Sequence, residues 1–376
     1  MIPILELSPT ELRDWFVRHD LPAYRAGQVR KWLFQKRAAA FEEMTDLPAK
    51  LREQLAAEFQ TFSSTVAEHH KAADGAEKLL LQLHDGERIE CVLLRDDKGH
   101  CTACISSQIG CAMGCAFCAT GIDGLVRNLS RGEIIEQILH IQWLLGTVGG
   151  VSRRRSENGG KIGDASRLLQ DAERLSHIVV MGMGEPLLNL DALMPALDET
   201  VARDGLGIGA RKITISTVGI PAGIKRLARD NCQYHLAVSL HAAADELRNE
   251  IVPANRGFGV AAIIEAADEY FEMTGRRVTF EYVLLSGVND RPEHARQLTA
   301  LLRGRPALVN LISYNPVPGL PFRKPSPAAI ARFTELLTEG GLNVAIRHRK
   351  GDRISAACGQ LRRVRGGREG GRKEEG

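Results

Sequence analysis

The sequence predicts an α/β fold in which parallel strands and helices alternate to form a barrel-like domain over residues 101–350. Apolar, β-branched runs recur through this span, for example at 212–220, and helical patterns, for example at 221–229 and 327–339, separate most of them. Such alternation is typical of parallel βαβ units. Polar residues and glycines stand at the carboxyl ends of several runs, which is where barrels of this kind collect their functional groups.

The composition is that of an ordinary globular protein. The chain has 376 residues, of which 44% are hydrophobic and 25% charged, and its formal net charge is +3. Any nucleic-acid binding must therefore come from local patches. No apolar run is long enough to span a membrane, and the N-terminus does not resemble a secretory signal. The eight cysteines do not suggest a disulfide framework, so we expect a cytoplasmic protein with no membrane partner.

Residues 1–62 predict a small helical domain. Ser8, Pro9 and Glu11 form a helix-start signal. Tryptophans and phenylalanines alternate with basic residues, which outnumber the acids between residues 11 and 37. Two interpretations stay open: a solvated face over an aromatic core, or a surface that contacts the RNA backbone. The basic residues are Arg13, Arg18, Arg25, Arg30, Lys31, Lys36 and Arg37.

Residues 63–100 predict a β-hairpin extension. Residues 78–94 partly alternate apolar and polar side chains around Asp85 and Gly86, a strong turn signal. Glu90 lies on the second strand, where a glutamate usually faces solvent. The hairpin leads into the first strand of the barrel, at about residues 101–106.

The stretch that follows carries the strongest chemical signal. Cys111, Cys115 and Cys118 form a C-x-x-x-C-x-x-C triplet. Three thiolates this close can hold three irons of a [4Fe–4S] cluster and leave the fourth iron open, whereas most clusters take four cysteines. An open iron can chelate a ligand, and this spacing resembles sites for S-adenosylmethionine (SAM). A zinc site or three buried thiols are the alternatives, although no second ligand pair for zinc follows.

Polar residues follow several of the predicted strands. The second strand ends in Gly184 and Glu185. The glycine could let a ligand approach, and the glutamate carboxylate could accept a hydrogen bond from an amino group. Each such residue alone is more often a turn or cap. Several of them above one cysteine loop together indicate a cofactor pocket. The others are Ser216, Ser239, Leu240, His241 and Asn315.

Two further cysteines stand apart from the triplet. Cys104 ends the first strand, and Cys358 lies near the C-terminus in S-A-A-C-G-Q-L. Both could be small buried hydrophobic residues. Cys101 and Cys104 also spell C-x-x-C, but this pair precedes a cluster motif rather than a helix. The insert at 149–168 is rich in Gly and Arg and predicts a surface loop, and residues 362–376 predict a disordered tail.

These strings together resemble the RlmN family of radical-SAM RNA methyltransferases. The matching strings are C-I-S-S-Q-I-G-C-A-M-G-C-A-F-C-A-T-G, R-N-L, G-M-G-E-P-L-L-N, I-S-T-V-G-I, V-S-L-H-A, Y-N-P-V-P-G and A-A-C-G-Q-L-R. They occur in the expected order over about residues 100–362. The insert, a longer turn between Glu90 and Cys104, and the extra Cys101 depart from the pattern.

The resemblance implies a partial (β/α)6 radical-SAM barrel over residues 101–361, with the helical domain and the β extension in front of it. It also implies that the cysteine triplet holds one [4Fe–4S] cluster per chain. The SAM-binding residues would be Gly184, Glu185, Ser216, Ser239, Leu240, His241 and Asn315.

The resemblance further implies a two-stage reaction on adenine C2. Cys358 would accept a methyl group from one SAM, and a radical formed from a second SAM would activate that methyl group for addition to the base. Cys104 would then attack Cys358, form a disulfide and release the methylated RNA, with Glu90 as proton acceptor. The adenosine would have to be unstacked to be reached.

The implied substrates are 23S rRNA at the peptidyl-transferase centre and tRNA at the adenosine 3′ of the anticodon. A flavodoxin- or ferredoxin-type protein would supply electrons, and we expect a monomer. Two alternatives remain at this point: a Cfr-like enzyme that methylates adenine C8, and a non-catalytic RNA-binding protein with a structural iron–sulfur cluster.

Overall fold

A ten-stranded mixed sheet forms the centre of the computed structural model. The structure describes residues 1–146, 173–230, 232–347, 354 and 356–362. Its strands are β1 Ile2–Pro3, β2 Phe59–Gln60, β3 Thr65–Lys71, β4 Glu77–Gln82, β5 Arg88–Arg95, β6 Cys101–Cys104, β7 Gln108–Gly110, β8 Leu125–Asn128, β9 Leu175–Val180, β10 Ile213–Thr217, β11 His235–Ser239, β12 Val278–Leu284, β13 Ala307–Ser313 and β14 Val344–Arg347.

Helices cover the sheet and connect its strands. In the described part of the chain they are α1 Pro9–Arg18, α2 Arg25–Phe34, α3 Ala49–Glu58, α4 Arg131–Leu144, α5 Leu190–Val201, α6 Pro221–Arg229, α7 Asp245–Ile251, α8 Gly259–Thr274, α9 Pro292–Leu302 and α10 Pro327–Glu339.

The sheet has a parallel part and an antiparallel part. Its strand order is β14-β13-β12-β11-β10-β9-β6-β5-β4-β3. Every neighbouring pair from β6 to β14 is parallel, whereas β3, β4 and β5 pair antiparallel and add to β6. No pairing joins β14 back to β6 among the described residues, so the parallel part is an open barrel. The predicted partial barrel with an antiparallel extension is confirmed.

Several local predictions are also confirmed. Ser8 and Ser130 both form capping boxes at the starts of α1 and α4. The hairpin of β4 and β5 turns at Gly86, whose φ of +84° is the left-handed conformation that glycine adopts readily. The sequence pattern did not predict β3. All seven of its residues are exposed, so it carries no alternation of buried and exposed side chains.

The predicted barrel strands were too long at their carboxyl ends. For example, the apolar run at 212–220 predicted a strand through Ile220, but β10 ends at Thr217. The residues beyond it leave the sheet, because the Val218 amide donates to the Glu185 carboxylate (2.9 Å) and the Gly219 amide to the Thr217 hydroxyl (2.9 Å). The segments that look like strand ends therefore become loops that line a site.

The N-terminal helices pack onto the barrel in one continuous hydrophobic core. Trp15, Phe16 and Phe34 are buried in it. Two of the basic residues considered for RNA contact serve this packing instead. Arg30 is only 5% exposed and pairs with Glu199 of α5 (2.7 Å), and Arg37 donates to the Gln142 carbonyl (2.8 Å) in α4.

Other basic residues of the module remain at the surface: Arg13, Arg18, Lys31 and Lys36 are exposed. The predicted insert at 149–168 and nearly all of the predicted tail, from residue 363 onward, lie outside the described residues. Among the described helices, none combines the length and apolar character that crossing a membrane requires.

Candidate active site

The cysteine triplet lies on the loop between β7 and β8, at the carboxyl ends of the parallel strands. The sulfur-bearing residues Cys111, Cys115 and Cys118 are partly exposed and all line one cavity of about 960 Å³, its open mouth included. Backbone hydrogen bonds hold the loop in place: the Ala116 amide donates to Ile251 (2.9 Å) and the Cys111 amide to Gly124 (3.0 Å).

The donor set fits an iron–sulfur cluster. Burial raises the pKa of Cys111 to about 12, and burial together with the charges of Cys118 and Cys111 raises that of Cys115. Three thiolates crowded in one pocket need positive charge to be stable there, and iron supplies it. Within the described residues no three His, Cys, Asp or Glu side chains converge on a position for a single ion. A cube differs from a single ion in that each thiolate binds its own iron.

Glu185 lines the same cavity. It is 2% exposed, and its carboxylate accepts hydrogen bonds from the Leu187 amide (3.1 Å) and the Val218 amide (2.9 Å). Burial raises its pKa to about 7, although these hydrogen bonds oppose that effect. The carboxylate therefore ties the end of β9 to the loop after β10, and it still lines the cavity.

The glycines before Glu185 line the cavity and also serve packing within the protein. A Cβ at Gly182 would lie 2.6 Å from the Ser106 hydroxyl, and one at Gly184 would lie 2.6 Å from Gln108 Cβ. Gly184 also has a φ of +103°. The space beside both residues is thus filled by the segment between β6 and β7.

His241 lines the cavity as a neutral ring. Burial, and then the charge of Arg248, lower its pKa to about 3. Its Nδ1 accepts from the Val283 amide (3.0 Å), so in the neutral ring Nε2 carries the proton and can donate. Its ring meets Phe117 edge-to-face with 4.9 Å between centroids. His241 therefore joins the cysteine loop to the end of β11.

The structure brings most of the predicted cofactor residues to this cavity. Ser216 and Ser239 line it together with Gly184, Glu185 and His241. Leu240 is fully buried and is not among the lining residues. Asn315 lies in a neighbouring cavity, where its Nδ2 donates to the Cys358 carbonyl (3.2 Å) and its buried Oδ1 has no partner among the described residues.

Cys358 stands between these two cavities. It lines the cluster cavity and also the second cavity, of about 1280 Å³ with its open mouth, which Cys104 lines as well. Its segment is fixed on both sides: the Ala119 amide donates to the Gly359 carbonyl (2.8 Å), and the Thr120 hydroxyl to the Leu361 carbonyl (2.6 Å). Two cysteines far apart in sequence thus share one cavity.

Arg347, at the end of β14, lines both cavities too. The nearby Cys358 raises its pKa, with burial acting in the opposite direction. Burial and the Cys358 thiol raise the pKa of Cys104 to about 12, while Arg347 opposes this rise. The guanidinium is therefore a positive charge that can favour the thiolate form of Cys104. Arg347 was not among the predicted site residues, although its position at the end of a predicted strand was a signal that could have identified it.

Glu90 lies beside the Cys358 segment but does not line either cavity. It is 5% exposed, pairs with Lys78 (2.6 Å) and accepts a hydrogen bond from the Arg362 amide (2.9 Å). The expectation that Glu90 faces solvent is therefore wrong. The carboxylate instead anchors the residues that follow Cys358 onto β5.

Sequence reasoning also missed Arg248, which is completely buried. It donates to the carbonyls of Leu240 (2.9 Å), Ser239 (3.1 Å) and Val218, and to Asn255 Oδ1 (2.5 Å). These carbonyls belong to the loops after β10 and β11. One side chain thus holds together two walls of the cavity, and no sequence pattern marked it.

Family models match most of the chain. Residues 2–60 match the ribosomal RNA large subunit methyltransferase N-terminal domain, and residues 105–298 match the radical SAM superfamily. Members of that superfamily use a [4Fe–4S] cluster and SAM, and these are the cofactors of this chain.

Curated relatives match over nearly the full length. A probable dual-specificity RNA methyltransferase RlmN of Rhodopirellula baltica is 54% identical, with 96% of this chain and 91% of the relative covered. The protein of the same name from Moorella thermoacetica is 47% identical over 96% and 97%. Neither the adenine-C8 alternative nor the non-catalytic one is favoured by these matches.

A solved structure agrees. The crystal structure of a radical SAM methyltransferase from Sphaerobacter thermophilus superposes with a TM-score of 0.86 at 40% identity, covering 96% of this chain and 99% of the other. Fold, cavity and sequence matches lead to one conclusion. The chain belongs to the RlmN family of dual-specificity, radical-SAM RNA methyltransferases.

Proposed function

We propose that this enzyme methylates C2 of adenosine in 23S rRNA and in tRNA through a methyl group carried on Cys358. The observation that supports this most is the position of Cys358 between the cofactor cavity and the cavity that holds Cys104. A methyl carrier must meet its donor on one side and the RNA base on the other. The adenosine of the peptidyl-transferase centre and that 3′ of the anticodon are the proposed targets.

We assign Cys111, Cys115 and Cys118 to the cluster, and Gly184, Glu185, Ser216, Ser239 and His241 to SAM. Leu240 would contribute through its backbone, since its side chain lies in the core, and Asn315 through the Cys358 segment that it holds. When bound, cluster and SAM supply the methyl group and the radical chemistry that an unreactive carbon such as adenine C2 requires.

The protein side chains would then do the following. Cys358 would accept the methyl group as a thiolate. Its methyl carbon would then lose one hydrogen atom to the SAM-derived radical and become bonded to adenine C2. Glu90 would accept the hydrogen of C2 as a proton, and the remaining electron would pass to the cluster. The Cys104 thiolate attacks the Cys358 sulfur. The bond between that sulfur and the former methyl carbon breaks, its electron pair stays on carbon, and the carbon takes up a proton. A disulfide and free methylated RNA result.

The Glu90 role requires movement, because Glu90 is paired with Lys78 and the Arg362 amide outside both cavities. Displacement of the segment after Cys358 by RNA would free this carboxylate. We further propose a flavodoxin- or ferredoxin-type electron donor and a monomer. Domain boundaries would fall after residues 62, 100 and 361, close to the end of the N-terminal family match at residue 60.

The decisive test separates the two distant cysteines. The Cys358→Ala enzyme should be inactive and carry no methyl group. Cys104→Ala should still be methylated at Cys358 and still attack RNA, but it cannot release the product, so a covalent protein–RNA adduct should accumulate. Both variants are purified, digested with nuclease and analysed by mass spectrometry of the Cys358 peptide.

The buried Cys91 provides a matched control, since it is a neighbouring cysteine that lines neither cavity. Cys91→Ala should turn over without accumulating adduct. A Cys104→Ala protein that is inactive yet free of RNA adduct would contradict the proposed release step.

A further inference from the structure

A third cavity opens at the opposite end of the barrel, at the amino ends of the strands. It encloses about 850 Å³ with its open mouth. Arg211 and Lys212 precede β10 and form part of its wall, and His235 begins β11. We call this place the basal cavity; the remaining lining residues are Thr102, His177, Val179 and Thr214.

Positive charge concentrates in and beside the basal cavity. Arg276, which precedes β12, is not a lining residue but contacts one, because its Nη2 lies 3.0 Å from Nε2 and 3.2 Å from Nδ1 of His235. The charges of Arg276 and Arg277, added to burial, lower the pKa of His235. The charge of Lys212, after burial, lowers that of His177. His235 therefore lies close to Arg276 and Arg277, and His177 lies close to Lys212.

The cations in and beside the basal cavity have no acidic partners in the described part of the chain. Arg211, Lys212, Arg276 and Arg277 form no ion pair there. By contrast, Arg305, which precedes β13 in the same way, pairs with Asp268 at 3.1 Å. The acid that lies nearby, Asp96, is paired with His100 at 2.8 Å, and His100 packs its ring against His177.

One donor in this cluster is buried without an acceptor. Arg276 Nε has no hydrogen-bond partner among the described residues. Leaving a buried charged donor unsatisfied costs free energy. An anion beside Arg276 that accepts a hydrogen bond from this donor would offset that cost.

We propose that the basal cavity binds a phosphate group. Guanidinium and ammonium groups are the usual protein ligands of phosphate, and a doubly charged group offsets several cations better than a carboxylate does. The hydroxyls of Thr102 and Thr214 can donate from the barrel interior. This assignment goes beyond methyl transfer, because none of these residues reaches the cluster cavity.

The cavity extends toward the thiol site. Thr102 and Val179 line both the basal cavity and the cavity that contains Cys104 and Cys358. A bound phosphate would therefore lie behind the proposed release thiol, on the side away from the cluster. The phosphate could belong to the RNA backbone or to a free phosphate compound, and the experiment must distinguish these sources.

The test compares R211S/K212S with R296S/R303S, in which two exposed arginines on or next to α9 are removed instead. Inorganic pyrophosphate binding is measured by calorimetry. Binding of a tRNA transcript is measured by fluorescence anisotropy over a series of salt concentrations. R277S, a single change at an exposed residue, serves as a second variant should the double one fold poorly.

If the ligand is RNA, R211S/K212S should reduce the slope of log K against log salt by about 1.4–1.8, and R277S by about half as much. If it is a free phosphate compound, pyrophosphate affinity should fall at least tenfold while the RNA slope stays unchanged. The control should change neither. Unaltered pyrophosphate binding together with an unaltered slope would overturn the proposal. RNA binding by the parent enzyme, measured in the same series, checks the proposed function separately.

Discussion

At the scale of single residues, Arg248 illustrates a positioning role. Burial lowers its pKa to about 10, so it stays charged at neutral pH. We expect Arg248→Met to destabilise the protein by about 3 kcal/mol or more, because it leaves several buried carbonyls without donors. We also expect SAM affinity to fall about tenfold, since the loops after β10 and β11 lose their common partner. Urea unfolding and equilibrium dialysis measure the two effects.

A general loss of stability could weaken SAM binding by itself, so the pair Arg248→Lys and Arg256→Met is informative. Lysine keeps the charge but reaches fewer carbonyls, and should retain part of the stability with weak SAM binding. Arg256 is exposed in the next turn and should tolerate methionine. An Arg248→Met protein of unchanged unfolding free energy would argue against the positioning role.

His140 provides a prediction about pH. It is 4% exposed, contacts Ser64 (3.1 Å), and burial lowers its pKa from 6.5 to about 4. Because the pKa of His140 is lower in the folded protein than in the unfolded chain, this residue contributes stability above pH 6.5. The contribution is lost as the pH falls from 6.5, the unfolded value, to about 4, the folded value. As the pH is lowered from 6.5 to 4, the free energy of unfolding of the enzyme should therefore fall by up to about 3 kcal/mol more than that of His140→Phe.

The difference between the two proteins isolates His140 from other groups. Glu136, beside it, acts in the opposite direction, because burial raises its pKa despite hydrogen bonds from Ser63 and Ser64. Chemical denaturation of both proteins at several pH values gives the measurement. Parallel stability profiles for the enzyme and His140→Phe would refute the assignment.

Single residues differ in how well the sequence reveals them. Cys111, Cys115 and Cys118 could be predicted because cluster chemistry restricts both residue type and spacing. Arg248 could not, since its partners are backbone carbonyls, which any sequence provides. The packing role of Gly182 was equally hidden, because only the fold shows that Ser106 occupies the space beside it.

At the scale of secondary-structure elements, the antiparallel extension stabilises the Cys358 segment. Glu90 on β5 pairs with Lys78 on β4 and accepts from the Arg362 amide. Lys78→Met should leave a buried carboxylate without its cation and destabilise the protein by about 3–5 kcal/mol. Adding Glu90→Gln should recover a large part of this loss, because the uncompensated charge is gone.

This double-mutant cycle distinguishes coupling from unrelated damage. A coupling energy of at least about 0.5 kcal/mol, measured by urea unfolding of all four proteins, is expected for residues in contact. Strictly additive effects would contradict the coupling. Lys98→Met, at an exposed lysine in the turn after β5, is a suitable comparison for the loss of one positive charge.

Elements also show where sequence patterns stop being informative. The helices α6 and α10 begin and end where their periodicity predicted them, since a single buried stripe defines each. The barrel strands were overextended, because their apolar runs continue past the last paired residue, as at Val218 and Ile220 after β10. Whether such residues continue a strand depends on tertiary hydrogen bonds that local pattern does not encode.

At the scale of the whole molecule, the N-terminal module and the barrel are interdependent. Arg30 and Arg131 both pair with Glu199, which is only 4% exposed. The module's aromatic residues belong to the same core as β5, β6 and α4. A deletion of residues 1–62 would therefore expose apolar surface and a buried charge, so it cannot test RNA binding alone.

Substitutions of exposed cations can test it. Arg13, Arg18 and Lys31 are exposed on α1 and α2, whereas Arg30 is buried against α5. If the module contacts RNA phosphates, R13S/R18S/K31S should reduce the slope of log K against log salt by about 2–3 while stability changes little. Binding of a tRNA transcript over a salt series, together with urea unfolding, measures both quantities.

Arg30→Met is the informative counterpart, because it removes one cation from the same module at a site that RNA cannot reach. It should destabilise the protein by about 3 kcal/mol or more, since Glu199 loses a buried partner, and leave the salt slope of the folded enzyme unchanged. The triple variant and Arg30→Met would then separate the two interpretations of these basic residues. An unchanged slope in the triple variant would show that Arg13, Arg18 and Lys31 form only a solvated face of the module.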